Sequence, residues 1–548
     1  MPSFDTEAEI TQAVKDKESE LNDLRTQMTS DFDLFSLLPY TPKDASGNER
    51  KGYQSYTTSE PRNFFNKVLD GLNNAVLTIQ IRLPEKASEE DRRKASIGEL
   101  FLFGALQAID RRLSKRGEPP LREALALFMC LRGISAMRAL VYTPKQGEDV
   151  VFDVVPWDPI HVTWEMGSDG PLWIANKRKG TKAQIYSEYG IDIKGKDAVV
   201  LDFFDTERNS VIIEETFAKK PTAHDIGHVP AWVRCVGSMP TMQKQDLGAL
   251  LKHQANSVWA ASRGLYEVKN KYVSSLMDVQ QSGVVGSLVY RSKDGQKHLE
   301  GDPYLTRQQI PLAEGEELYP LAMPKAPPET AAIYEVVVND IAQSTLPYPQ
   351  AYGGTRQAMS GRALAELADA TKSIYSPGGG NLQQGIAWLC EELLTQFVKK
   401  GTKSTALRVY DREKPKEKQY FTVTVSPDEI NPDWYVDVQV EPKISRDEEA
   451  AAMLALALTQ KRGPEDIPLM AKATARERIL LLQDPDSEED KVLAEMGQAL
   501  PPIMAANIAA ALKRRGEDEL AEQVMLLLRP PQPKPSSPPL PPELIKAV

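Results

Sequence analysis

Residues 327–367 constrain the fold more than any other stretch, because they cannot form one continuous element. Ile333, Val337 and Ile341 fall four residues apart with Val336 beside them. Glu335, Asn339 and Gln343 occupy positions between, so a helix here has one apolar and one polar side. Pro347 and Pro349 stop it, since proline lacks the amide hydrogen and its ring crowds the preceding turn. Residues 346–359 then bring these two prolines, the pair Gly353-Gly354 and a single cation, Arg356. Ser360 offers an N-cap to an Ala/Leu-rich helix that follows. The pattern predicts helix, long loop, helix, and a loop of this length between two good helices is more than a connection.

Along the rest of the chain, helical and β-rich regions alternate. Residues 6–28 are charged, with Ile10, Val14, Leu21 and Leu24 at helical spacing, which predicts a surface helix or an arm lying on a neighbouring subunit. The apolar positions Phe65, Val68, Leu69, Leu72, Val76 and Ile79 keep the same period through residues 62–82. Residues 98–117 continue it, closing on Arg111, Arg112, Lys115 and Arg116, where cations favour the helix dipole. Pro119-Pro120 restarts a helix read through residue 140. From about residue 149 the runs VVFDVVPW, HVTWEM, AVVLDFFD and SVIIEETF are β-branched and aromatic, predicting a sheet to about residue 236.

A long helix is expected over 242–279, strands and turns over 283–326, and a helix interrupted by SPGGG at 376–380. Two further strand segments, 408–425 and 434–440, are expected to add to the earlier sheet. Residues 442–529 read as short helices, and residues 530–543 hold eight prolines and can pack as neither helix nor sheet. The class is therefore α+β.

A chain of 548 residues is expected to hold two to four compact units. Its 66 basic and 77 acidic residues leave a net charge of −11, which excludes a broad basic surface for gripping nucleic acid. Cys130, Cys235 and Cys390 are sparse and far apart, fitting a reducing compartment without disulfides. The amino terminus lacks the apolar core of a secretory signal, and no stretch is apolar for long enough to span a membrane.

Chemistry-bearing motifs are weak. Gly190, Gly195 and Lys196 have the spacing of a phosphate-binding loop, but Asp197 stands where a Ser or Thr hydroxyl must meet magnesium. His224 and His228 in HDIGH could share a metal on a helix; Gly227 and the lack of a third ligand favour two polar loop residues before a strand at 231–236. No nucleophile elbow and no paired His/Glu zinc motif occurs, so no catalytic residue, cofactor or metal is assigned and no enzymatic activity is expected.

The order of these pieces resembles the portal proteins of tailed bacteriophages. Ser360, Gly361, Ala363 and Leu364 match the family's pattern opening the helix after its tunnel loop. IPLAEGEELYPLAM (310–323) resembles the family's strand-turn-strand element before the stem helix, and VPWDPIHVTWEMGSDGPLWIAN (155–176) its β-rich segment.

The resemblance implies a ring-forming subunit. Its parts would be a wing over 1–241, a wing-to-stem helix over 242–282, a clip over 283–326 and a stem helix over 327–345 carrying Glu329, Ile333, Val337 and Ile341. The tunnel loop over 346–360 would carry Gln350, Tyr352, Gly353, Gly354, Thr355, Arg356 and Gln357. The wing would resume over 361–441, followed by a helical crown over 442–529 and a proline-rich tail over 530–548.

It further implies a ring of twelve at one capsid vertex, through which double-stranded DNA enters and leaves without sequence-specific contact. The partners implied are other copies of the chain, the terminase large subunit, head-tail adaptor and tail proteins, and major capsid and scaffold proteins, with no membrane. The place implied is the virion, after assembly in the bacterial cytoplasm. An acidic ring suits a conduit, because strong phosphate contacts at each step would act as a brake. The alternatives are another head-tail connector component, or an ATP-driven nucleic-acid enzyme using residues 190–197.

Overall fold

The computed structural model describes residues 4–84, 86–144, 149–238, 247–284, 288–292, 310–320, 329–345, 361–400, 404–410 and 420–441, with the backbone alone for 247–249, 282–284, 320, 361–373 and 441. Two compact units divide the chain, Met1–Ile444 and Ser445–Val548. In the second unit only Ala455, Leu456, Thr459, Lys472 and Ala475 are described. The expected crown and proline-rich tail otherwise lie outside the described residues, as does most of the expected clip.

The first unit opens with α1 (Glu7–Glu20) and α2 (Asn22–Ser36). Thr6 starts α1 through a reciprocal capping box with Glu9, satisfying amides that a helix start leaves free. Both helices pack on their own chain and not as an arm. Phe4, Ile10 and Val14 cover Trp173, Phe203 and Ile212, while Leu21, Leu24 and Met28 join Trp157, Trp164 and Phe204.

Sequence and structure part at the next helix. Helix α3 (Glu60–Asn73) ends before Val76, and β1 (Val76–Arg82) is a strand where the helical period was read onward. Its partner is β14 (Tyr435–Glu441), antiparallel, with Ile79 opposite Val438. Likewise α4 (Glu89–Lys115) and α5 (Leu121–Arg132) are helices, but Gly133 takes φ 68° and ends α5. Residues expected to prolong that helix form β2 (Ile134–Tyr142).

The sheet begins there. Strand β2 lies between β3 (Val151–Pro156) and β9 (Ala231–Cys235) in a three-stranded antiparallel sheet. A five-stranded antiparallel sheet runs in chain order through β4 (Val162–Met166), β5 (Pro171–Thr181), β6 (Asp197–Asp205), β7 (Arg208–Ile213) and β8 (Thr216–Ala223). Arg138 of β2 joins the two sheets, with Nη1 3.2 Å from Asp202 on β6 and Nη2 2.5 Å from Asp153 on β3. Burial pushes the Asp202 carboxyl above its ordinary range, while Arg138, Arg178 and Lys219 pull it back.

Between β5 and β6 lies α6 (Lys182–Tyr189), which ends on Gly190 with φ 71°. The phosphate-loop lookalike at 190–196 is thus the turn from a helix into β6, and a strand follows it where nucleotide chemistry needs a helix.

The helix expected over 242–279 is broken into α7 (Leu247–Gln254) and α8 (Arg263–Val284). The break lets Trp259 turn inward, fully buried and stacked on Phe65 at 5.2 Å between ring centroids. Strands β10 (Leu288–Arg291) and β11 (Glu317–Pro320) then pair with each other. Among the described residues, the strand-turn-strand expected within 310–323 has only its second strand, β11, whose partner is β10. Helix α9 (Glu329–Gln343) follows.

Helix α10 (Gly361–Lys400) runs unbroken through the SPGGG stretch that was expected to interrupt it. Pro377 is exposed, so its missing hydrogen bond lies on the solvent side. The glycines give close contact instead: a Cβ on Gly378 would stand 3.2 Å from the Met129 methyl. Strands β12 (Thr405–Tyr410) and β13 (Tyr420–Val425) form a separate pair, and neither they nor β14 joins the earlier sheets. The main core gathers α3, α4, α5, α8, α9 and α10 with these strands.

Candidate functional site

The candidate site is the limb built by α8 and α9. Its root is fixed by charge and aromatic packing. Arg263, the first residue of α8, forms a two-pronged contact with the buried carboxylate of Asp31 at 2.5 and 2.8 Å. Trp259, just before it, donates its indole N–H to Pro61 O at 3.0 Å. Lys269 reaches Glu60 at 2.6 Å, tying α8 to the start of α3.

A second device runs along α8. Its side chains Asn270, Ser274 and Asp278, each one helical turn further on, accept the backbone N–H groups of Thr58, Tyr56 and Gln54 at 2.9, 2.9 and 2.6 Å. The match is geometric. Four helical residues advance about 6 Å and two extended residues about 6.6 Å, so an extended segment can meet successive turns without strain. Residues 54–58 are therefore a strap along the helix. The signal in the sequence is a polar residue at every fourth position of α8, and local pattern cannot reveal its role because its partners are over 200 residues away.

Of the residues assigned to the stem helix, all lie on α9 but not in one environment. Val337 and Ile341 are buried in the main core, and Tyr334 stacks on Tyr272 of α8 at 6.5 Å. Ile333 is 52% exposed and its neighbour Val336 57%. The apolar stripe read from the sequence is thus divided: one part faces α8, the other faces out. Glu329, Glu335 and Asp340 are exposed as well, and α9 carries no lysine or arginine. Gln350, Tyr352, Gly353, Gly354, Thr355, Arg356 and Gln357 lie outside the described residues.

The other motifs resolve into structural roles. His224 and His228 sit in the loop between β8 and β9, bonded to different partners, and among the described residues no cluster of His, Cys, Asp or Glu could hold a metal. Cys130 and Cys390 are buried and the three thiols are unpaired. Arg112 and Arg116, at the end of α4, both meet Asp153. No helix among the described residues is long and apolar enough to cross a membrane.

No family model matches this chain, and no curated protein matches it. Among solved structures it is similar to a chain from the neck of an empty gene transfer agent particle computed with C6 symmetry, at 15% identity and a TM-score of 0.37, covering 80% of this chain and 94% of that one. A chain from the virion of a native gene transfer agent particle gives 14% identity and the same TM-score of 0.37, covering 83% and 98%. Both superpositions are loose, and the functional reading rests on the chain itself.

Proposed function

We propose that this chain is a portal subunit of a tailed-phage-like particle. It is a non-enzymatic protein whose copies, twelve in the reading favoured here, close into a ring at one capsid vertex. Double-stranded DNA passes through that ring during packaging and ejection. The terminase large subunit docks on it and supplies the energy; head-tail adaptor proteins replace the motor later, and capsid and scaffold proteins surround the wing.

The observation that carries the reading is the divided apolar stripe of α9. Half-exposed Ile333 and Val336 stand on α9 beside the flank that α8 already covers. Full burial of one such side chain is worth about 1.5–3 kcal/mol, so covering two half-exposed ones contributes roughly 2 kcal/mol at each contact between copies. A closed ring repeats that contact around its axis. The portal pattern at 327–367 supplies the functional half of the reading, placing the stem and its trailing loop beside DNA.

Light scattering and negative-stain microscopy of the purified chain test it. Wild-type protein should form holed rings, and the double variant Ile333→Asp/Val336→Asp should fall to monomers while keeping its secondary structure. A wild-type chain that stays a solid monomer, or a double variant that still forms rings, refutes it. ATP binding abolished by Lys196→Ala would instead favour the ATP-driven alternative.

A further inference from the structure

The HDIGH loop has no place in the proposed function, yet it is tied into the fold at both ends. His224 is buried directly after β8. Its Nε2 lies 2.9 Å from the carbonyl oxygen of Asp205 at the end of β6, so this nitrogen must carry a hydrogen and donate it. Its Nδ1 accepts the N–H of Ile226 at 3.3 Å, so that nitrogen must be bare. Both ring nitrogens are thus committed to a single tautomer of the neutral imidazole.

The next residues depend on that commitment. Asp225 and Gly227 take φ 53° and 90°, folding the loop tightly around Ile226, whose side chain is buried. Helix α10 then holds the loop. Lys399 Nζ donates to Ile226 O at 3.0 Å, and His228 Nε2 lies 2.7 Å from Oε2 of the buried Glu392. Behind Glu392, Gln396 donates to Ala139 O at 2.9 Å and accepts from Val141 N at 2.7 Å, and Ala139 N reaches Pro230 O at 3.0 Å. The loop therefore joins the five-stranded sheet, the three-stranded sheet and α10 at one point.

We propose that residues 224–230 are a proton-operated latch, in which protonation of His224 releases the loop from α10 and loosens the joint between the two sheets. A proton can enter only at Nδ1. There it would face the N–H of Ile226, donor against donor, leaving that buried amide without an acceptor. The charged and titratable groups facing the ring act in the same setting: Lys400 of α10 and His228 oppose a second positive charge, and Asp205 favours it. Burial is the largest influence, and the His224 ring is held below the ordinary histidine value.

The sign follows. A histidine with a lowered folded-state value keeps its full contribution above the unfolded value, about 6.5, and loses it as pH falls below that value, until the folded-state value is passed. Over that window the open fraction of the loop grows by up to about tenfold per pH unit.

Hydrogen-deuterium exchange of the intact protein tests this on peptides spanning residues 220–230, from about pH 7.5 down to about 5.5, with rates corrected for the intrinsic pH dependence of exchange. Corrected exchange should rise steeply below about pH 6.5 while peptides from β5 stay unchanged. His224→Asn should flatten the rise, because an asparagine Oδ1 can accept the Ile226 N–H and does not titrate. His228→Gln, which keeps a donor toward Glu392, should leave the rise intact. A flat wild-type profile overturns the latch, and this measurement decides even if His224→Asn fails to fold. A rise lost in His228→Gln but kept in His224→Asn overturns it as well.

Discussion

Cutting the strap one rung at a time should give a graded response that no loose loop would show. The innermost rung joins two buried residues, Thr58 and Asn270, at 2.9 Å. In Asn270→Ala the Thr58 amide is left buried without an acceptor, which costs about 1–3 kcal/mol. Taking 2 kcal/mol as typical, the local opening constant rises about thirtyfold. The middle rung, Tyr56 to Ser274 at 2.9 Å, joins a half-buried tyrosine to a buried serine. Water can reach it only from the Tyr56 side, so Ser274→Ala should cost about 1 kcal/mol, or about fivefold. The outer rung, Gln54 to Asp278, lies nearest solvent, and Asp278→Ala should change opening by less than about threefold.

Residue-resolved hydrogen exchange at the three strap amides reads this directly. The expected order of deprotection is Thr58 in Asn270→Ala, then Tyr56 in Ser274→Ala, then Gln54 in Asp278→Ala, with global melting nearly unchanged because Lys269–Glu60 and Arg263–Asp31 still hold α8. Equal effects at all three rungs, or the largest effect at Asp278, would refute the reasoning that burial sets the value of each rung.

Two further outcomes follow from the packing. Gly133→Ala should lower stability by more than about 3 kcal/mol in thermal or denaturant unfolding, because φ 68° disfavours a side chain and a Cβ would stand 2.4 Å from the Ala255 carbonyl carbon; a loss below about 1 kcal/mol would contradict it. Burial pushes the Cys130 thiol up to about 12 and Cys390 higher still, so iodoacetamide at about pH 8 should label these two negligibly in the native protein and fully in the denatured protein. Prompt labelling of either in the native state would overturn that.

The strands within residues 149–236 were legible from β-branched runs separated by turn residues, but their division between two sheets and the helix α6 among them were not. Nor were residues 76–82 and 134–140. In the first, Leu72, Val76 and Ile79 keep a helical period while Leu77, Ile79 and Ile81 alternate, so local pattern fits both elements. The choice is made by β14, more than 350 residues further on, which pairs with β1. In the second, Gly133 was the available stop signal, a glycine placed directly after the last helical residue. The SPGGG stretch misled in the opposite direction: read locally it breaks a helix, but tertiary packing overrides propensity where glycines seat α10 against Met129 and Leu72.

The same limit applies to α9, where periodicity gives a face but not what covers it. An apolar stripe at positions 333, 336, 337 and 341 is wider than one neighbouring helix can occupy, since residues 333 and 336 lie to one side of the line through 337 and 341. Helix α8 takes Val337, Ile341 and Tyr334, and the remainder points away from it. Were α9 only a strut of this chain, polar residues at 333 and 336 would serve it better, because they would keep the contact with α8 and avoid exposing β-branched side chains beside three carboxylates. A helix that keeps half its apolar surface outside the molecule offers room for a second contact. In the function proposed above, that contact is made by another copy of the same chain, and the Ile333→Asp/Val336→Asp variant is what tests it.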